Sequence, residues 1–266
     1  KRHAGRKYSN LKYHFLLLLV MRCLGVDLGG SGFRLGVFEV ETGTLLSKWQ
    51  VIDHQEDTGP TSVIPNIRDS ILDMGWSGPI GVGFPGMVSD NRIMTAPNLG
   101  EEWLKFDLKK ELGHLHNGSF SMINDADAVA VTEYNLGSSR NKSGRVLTVT
   151  IGTGIGTTIQ DCGAMVPNLE FGRMPHPRLD CSLEAYISAR ARIEEDLSIE
   201  RWAERFQEGL EFLERLTNPD LIILYGGIME HWADFSGLIS TKAQIEPAKF
   251  DREAGALGAA IVASRL

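Results

Sequence analysis

Cysteine is scarce in this chain of 266 residues: only Cys23, Cys162 and Cys181 occur, widely separated and odd in number. No CxxC pair or Cys/His cluster accompanies them, which excludes a disulfide framework and a structural zinc of the usual spacing, and fits a reducing cytoplasm. Long apolar runs are missing as well. The stretch Phe15–Met21 is apolar throughout but far short of the about 20 residues that span a bilayer, so no membrane partner is expected. Positive charge is in deficit, with 27 Lys and Arg against 34 Asp and Glu and a net charge of -7. A phosphate backbone rewards a basic surface, so a nucleic-acid partner is not expected. A small anion remains open, because backbone amides and a metal ion hold phosphate without a basic surface. No glycine turn leads into Gly-Lys-Ser/Thr, which rules out a P-loop.

What remains is an ordinary globular composition, 42% hydrophobic and 23% charged, long enough for two modest lobes. Lys1–Lys12 is basic and polar, and no small-residue cleavage site follows the apolar run after it. Met21 stands directly before the first strand and reads as the natural start, with 1–21 a flexible N-terminal extension.

From Cys23 the pattern is regular. An apolar strand Cys23–Asp27 meets the turn Gly29-Gly30-Ser31-Gly32, a second strand covers Phe33–Glu39, and a third lies near Thr44–Val51. Ile64, Ile67, Ile71 and Leu72 are spaced for a helix over Val63–Met74. A strand Pro79–Phe84, a loop-like stretch Pro85–Trp103, a short helix Leu108–Leu112 and a strand Ser121–Asn124 follow. A helix Asp125–Tyr134 comes next. The order then repeats: strand Val146–Ile151, turn Gly152-Thr153-Gly154-Ile155-Gly156, strand Thr157–Gln160 and a third strand. Helices Leu183–Glu195 and Trp202–Leu216, a strand Asp220–Tyr225 and a helix Ala254–Ser264 complete it. The second of those helices carries Trp202, Phe206, Leu210, Leu213 and Leu216 as its apolar stripe. A duplicated unit of this kind predicts two related α/β lobes around a cleft, 22–123 and 124–251, with a C-terminal helix in 252–266 that can pack back on the first.

Chemistry concentrates at strand ends. Each glycine turn is either a tight hairpin or a place where amides converge on phosphate, and two turns at equivalent positions favour the second. Gly226-Gly227 ends a continuous apolar strand, where a ligand can approach the backbone or the chain can simply turn. Asp125 is placed either to accept a proton from an attacking hydroxyl or to cap the helix that begins there.

Taken in order, Asp27-Leu-Gly-Gly-Ser-Gly, Gly81-Val-Gly-Phe-Pro-Gly86, Ala96-Pro-Asn98-Leu with Trp103, and Ile123-Asn-Asp-Ala-Asp-Ala128 form one set. With Gly152-Thr-Gly-Ile-Gly, Pro167-Asn-Leu-Glu170-Phe-Gly172 and Gly226-Gly227, it resembles that of the ROK sugar kinases, most closely the polyphosphate glucokinases, from about Arg22 onward. The resemblance implies an actin/hexokinase-like (ribonuclease H-like) fold of two lobes and transfer of a phosphoryl group from polyphosphate or ATP to glucose. It implies Asp125 as general base and Asn98, Asn124, Glu170, Gly86 and, more weakly, Glu184 around the sugar. Gly29, Gly30, Ser31, Gly32, Gly152, Thr153, Gly154 and Gly156 would hold the donor phosphates, with Gly226 and Gly227 on the adenosine side. Asp27 would stand by a Mg2+ ion, and a cytoplasmic homodimer is expected.

Two departures stand out. The cysteine-rich loop of zinc-bearing members is reduced to Cys181, so zinc is not expected, and the family's Glu-x-Gly-His reads Glu170-Phe-Gly172-Arg173 here. Arg173 is a permanent cation, expected to pair with Glu170 or with an anionic ligand, and His176 could take over the missing histidine's place. An ATP-dependent kinase for another hexose or an N-acetyl sugar remains the alternative. A sugar-sensing repressor would carry a helix-turn-helix, for which about 21 residues before the first strand are too few. An actin-like ATPase would not need Asn98 or Glu170.

Overall fold

The structure is a computed structural model that describes residues 21–54, 57–116 and 119–266. The expected N-terminal extension therefore lies, but for Met21, outside the described residues.

Two sheets carry the chain. In the first, β1 (Arg22–Leu28) pairs antiparallel with β2 (Gly32–Glu39), and the pieces β3 (Thr44–Leu45) and β4 (Gln50–Asp53) both extend β2. On its other side β1 runs parallel to β5 (Ile80–Phe84), and β5 parallel to β8 (Phe120–Asn124). A small hairpin, β6 (Val88–Ser89) with β7 (Arg92–Ile93), stands apart. The second sheet repeats the plan: β9 (Arg145–Ile151), β10 (Ile155–Asp161) and β11 (Ala164–Leu169) are antiparallel neighbours. β12 (Leu221–Tyr225) runs parallel to β9, and β13 (Gln244–Pro247) parallel to β12. The strand orders β3-β2-β1-β5-β8 and β11-β10-β9-β12-β13 are the same path drawn twice.

Several elements depart from the periodicity. The third strand splits where Val37 N donates to the Ser47 side chain at 3.0 Å: Leu46 N still donates to Val37 O at 2.7 Å, but a hydroxyl then replaces a strand carbonyl and Ser47–Trp49 leave the ladder. Within the stretch read as a loop, Asp90 and Asn91 adopt φ of 50° and 60° and close the β6–β7 hairpin, a positive-φ pair that Asp and Asn tolerate. The helix expected over Leu183–Glu195 breaks at Ser188. That residue ends one helix and caps the next, accepting from Ala191 N at 3.1 Å. The strand β13 was not anticipated, since four half-exposed residues ending in proline give almost no signal.

Helices fill the layers. α1 (Pro60–Asp73) buries Val63, Ile64, Ile67 and Ile71 on the first sheet, and α2 (Leu108–Glu111) is a single turn capped by Asp107. α3 (Asp125–Asn135) leaves the end of β8, and α4 (Leu183–Ile187) and α5 (Ala189–Glu194) are the two pieces that meet at Ser188. α6 (Ile199–Thr217) covers the second sheet, with Trp202, Phe206, Leu210 and Leu213 fully buried. Its stripe ends on Thr217 and leaves Leu216 48% exposed, since four residues beyond Leu213 a helix returns to the same face. α7 (Trp232–Phe235) adds Phe235 to that core.

The last helix, α8 (Ala254–Ala263), packs on the first sheet and on α3. Glycine makes the approach possible. A Cβ on Gly81 would lie 2.0 Å from Ala259 O, and one on Gly258 would lie 1.8 Å from Ala128 O. Among the described residues no helix is long and apolar enough to cross a membrane.

Candidate active site

The strand ends of both sheets open onto one cavity of about 990 Å3. From the first sheet come Asp27, the turn residues Gly29, Gly30 and Ser31, and Asn124 with Asp125 at the end of β8. Gly86 and Asn98 join them from the segment after β5, where a Cβ on Gly86 would meet Thr95 O at 2.1 Å. The second sheet supplies Gly152, Thr153, Gly154 and Gly156, the pair Gly226 and Gly227, and the carboxylates Glu170 and Glu184. Gly32 alone of the sequence-derived set does not line the cavity. Its carbonyl accepts from Gly29 N at 2.8 Å to close the turn, and its α-carbon lies so close to β4 that a Cβ would be 2.4 Å from Ile52 O. Gly32 thus shapes the turn from behind.

The capping role expected as one option for Asp125 falls to its neighbour. Asn124 is the N-cap of α3: its side-chain oxygen accepts from Asp127 N at 3.0 Å, and its amide donates to Gly86 O at 3.2 Å. Asp125 is thereby released from capping and, among the described residues, accepts only from Ala126 N, at 2.8 Å. Burial raises its carboxyl from the ordinary 3.8 to about 7, helped by the negative charges of Asp27, Glu170 and Asp127. Asp27 is raised to about 6, again by burial, with Arg34 pulling the other way. The Asp27 carboxylate accepts no hydrogen bond among the described residues, and α8 leaves room for it through Gly255, where a Cβ would sit 2.8 Å away.

Glu170 is raised by burial and by Glu184, while the cation of Arg173 lowers it. Arg173 is exposed at the cavity wall and forms no ion pair among the described residues, so the expected pairing with Glu170 is a field and not a contact. The Glu184 carboxylate accepts from Ile155 N at 3.3 Å and fills the space left open by Gly154. His176 does not replace the missing histidine. Its Nδ1 accepts from Arg178 N and Leu179 N at 3.2 and 3.1 Å, its ring packs on Tyr186, and it faces a smaller cavity of about 250 Å3.

Behind the carboxylates a polar relay joins the second sheet to α3 and to the small β6–β7 hairpin. Asp127, 1% exposed, accepts from Thr158 Oγ1 and Asn168 N, each at 2.8 Å. Asn168, at φ 58°, then binds both the N–H and the carbonyl of Val88, at 2.8 and 2.9 Å. This fixes the backbone two residues before Glu170.

Sequence reasoning missed Arg34, Arg192, Tyr225 and the segment 247–252, all of which line the cavity. Arg34 had a signal, since the β1–β2 register sets it directly opposite Asp27. The 247–252 segment had none, because its strand was not visible. Among the described residues no group of three or more His, Cys, Asp and Glu side chains is placed to hold a metal by itself.

Duplicated sheets of order 3-2-1-4-5, with a cavity between their strand ends, define an actin/hexokinase-like two-lobe protein. A model of the ROK family matches residues 23–166, and the chain belongs to that family. It is 30% identical to the polyphosphate glucokinase of Mycobacterium tuberculosis (strain CDC 1551 / Oshkosh) over 89% of each chain. Among solved structures, the inorganic polyphosphate/ATP-glucomannokinase of Arthrobacter sp. strain KM is similar with a TM-score of 0.84 and 29% identity, over 92% of this chain and 98% of that one. A ROK family glucokinase from Streptomyces griseus, solved with glucose and AMPPNP, shares the fold at a TM-score of 0.73 and 22% identity, over 92% and 100%.

Proposed function

We propose that the protein is a sugar kinase that moves a phosphoryl group from polyphosphate or ATP to a hydroxyl of glucose, giving glucose 6-phosphate. The observation that carries this reading is Asp125: a carboxyl at a strand end, freed from capping by Asn124, lining the cavity and raised to about 7. A base near neutrality suits a sugar hydroxyl, which loses its proton as its oxygen bonds to phosphorus. The proton goes to Asp125, the bond between the transferred phosphorus and the donor's bridging oxygen breaks, and the shortened donor leaves with that electron pair.

The remaining residues bind and orient. Asn98, Glu170 and Glu184 offer the sugar hydroxyls a carboxamide and two acceptors, while Asn124 keeps one N–H and one lone pair free and holds the Gly86 backbone beside the sugar. Amides at Gly30 and Ser31 in one turn and at Thr153 and Gly154 in the other present N–H groups to phosphate, and Gly226-Gly227 leaves room for the distal donor. Magnesium is held through one or two carboxylates plus substrate phosphates. Asp27 fits that role, being a buried carboxylate with no hydrogen bond among the described residues. When bound, the ion would neutralise charge on the transferred group. Arg34 and Arg192 add fixed positive charge to the cavity lining. Names of relatives support both donors and glucose, including the polyphosphate/ATP-glucomannokinase.

A screen tests the proposal. ATP and polyphosphate are each incubated with Mg2+ and with glucose, mannose, fructose or N-acetylglucosamine, and sugar phosphate is measured. Glucose 6-phosphate from either donor, lost in Asp125→Asn, is expected. A preference for another hexose would move the reading to the alternative kinase, and no sugar phosphate from any pair would overturn it.

A further inference from the structure

Past the first strand, two backbone crossings join the lobes. One is α3 with the loop after it, leading from β8 to β9, and the other is the segment between β13 and α8. Glu133 lies on α3 two turns beyond Asp125, about 12 Å along the axis at 1.5 Å per residue. It is 0% exposed and takes no part in the chemistry proposed above. One of its oxygens accepts from Ser138 N at 2.7 Å and Lys249 N at 3.0 Å, and the other from Phe250 N at 2.9 Å. A single carboxylate thus gathers amides from both crossings. The chain is shaped around it: a Cβ on Gly137 would stand 2.1 Å from the same oxygen.

Other contacts run alongside. Ser138 Oγ donates to Pro247 O at 2.9 Å, Lys249 Nζ to Leu136 O at 3.1 Å, and Thr132 Oγ1 to Ala254 O at 2.7 Å. Phe250 packs with Leu136 and Leu257 in the core between the lobes. The segment held this way turns its other side to the cavity: Pro247, Ala248, Lys249, Phe250, Asp251 and Arg252 line it. These residues follow β13, which neighbours the strand ending at Gly226-Gly227, so they belong to the half assigned to the donor.

We propose that Glu133 is a positioning residue that pins the two crossings together as one hinge and thereby sets the donor wall at 247–252 relative to Asp125. Both of its oxygens are needed as acceptors, because three backbone N–H groups converge on them. The sugar side is held separately, by Asn168 on Val88, and does not depend on the pin. The inference rests on the kinase reading for its donor and sugar assignment, but not for the pin itself.

Glu133→Gln keeps the size, removes the charge and turns one acceptor into a donor. Two readouts follow it: hydrogen exchange of the 248–250 amides against those of β9, and binding of ATP and of long-chain polyphosphate, followed by fluorescence of Trp232 in the cavity wall. Loss of one charge-assisted bond predicts about tenfold faster exchange at 248–250 and a donor Kd and KM raised about tenfold, with β9 protection and the glucose KM within about twofold. Thr132→Val, which leaves the carboxylate intact, is expected to leave donor affinity unchanged. Should Glu133→Gln fail to fold, Glu133→Asp decides, since it keeps the charge but shortens the reach to the three N–H groups, and it is expected to shift both readouts the same way. A folded Glu133→Gln protein with unchanged exchange at 248–250, or with donor and glucose constants rising together, overturns the proposal. If the parent protein phosphorylates no sugar, the function fails while the exchange comparison still decides the pin.

Discussion

Replacing Asp125 by Asn is expected to slow transfer by orders of magnitude and, at neutral pH, to stabilise the protein. The carboxyl is raised from 3.8 to about 7 by burial and by three neighbouring carboxylates. A group whose folded pKa exceeds its unfolded one binds its proton more tightly in the folded state. Stability attached to it is complete below about pH 3.8, falls as the pH rises, and is lost above about 7. The span from 3.8 to about 7 corresponds to about 4 kcal/mol. That figure is a ceiling, because the residue is partly open to the cavity, and about half of it is a fair expectation. Asn cannot ionise and avoids this cost. Thermal unfolding of both proteins, without metal or substrate, should coincide near pH 4 and diverge in favour of the Asp125→Asn variant by pH 8. Turnover should drop by roughly two to four orders of magnitude, and the parent kcat/KM should fall tenfold per pH unit below about 7. A variant that keeps its turnover refutes the base, and a stability gain independent of pH refutes the electrostatic reasoning.

Arg173→Gln is expected to raise the glucose KM, most at low pH, because Arg173 lowers the Glu170 carboxyl without pairing with it and Gln carries no charge at any pH. Steady-state kinetics from pH 5 to 8 check this, and an unchanged glucose KM speaks against it. Gly81→Ala puts a Cβ 2.0 Å from Ala259 O and should destabilise by about 3 kcal/mol, read by chemical denaturation; a loss within 0.5 kcal/mol (about the scatter of surface changes) would deny that α8 packs so closely. Elemental analysis of purified protein should return no zinc, and EDTA should inhibit only to the extent that added Mg2+ reverses.

The duplicated strand pattern and both glycine turns could be seen in the sequence because β-branched runs and glycine carry strong local signals. The identity of the N-cap could not. Asn124 and Asp125 are adjacent residues with similar capping power, and only the distance from Asn124 to Asp127 N tells them apart. The split third strand and the hairpin at Asp90-Asn91 turn on a single hydroxyl and two positive φ angles, which weigh little against strand-like or loop-like neighbours. Arg173 stands out in the sequence, yet its relation to Glu170 depends on side-chain reach, which spacing does not set. Glu133 and 247–252 meet only through tertiary packing, 116 and 117 residues apart in the chain.

The repeated sheet also makes its own differences conspicuous. Asp27 pairs with Gly83 across β1 and β5, and Thr150 holds the matching place opposite Tyr225 across β9 and β12. One copy therefore presents an acid beside a glycine, and the other a hydroxyl beside a bulky phenol. Two such half-sites cannot trade guests. Although the frame has an approximate twofold likeness, its contents give the cleft a front and a back, so two reactants of unlike charge can enter in only one arrangement.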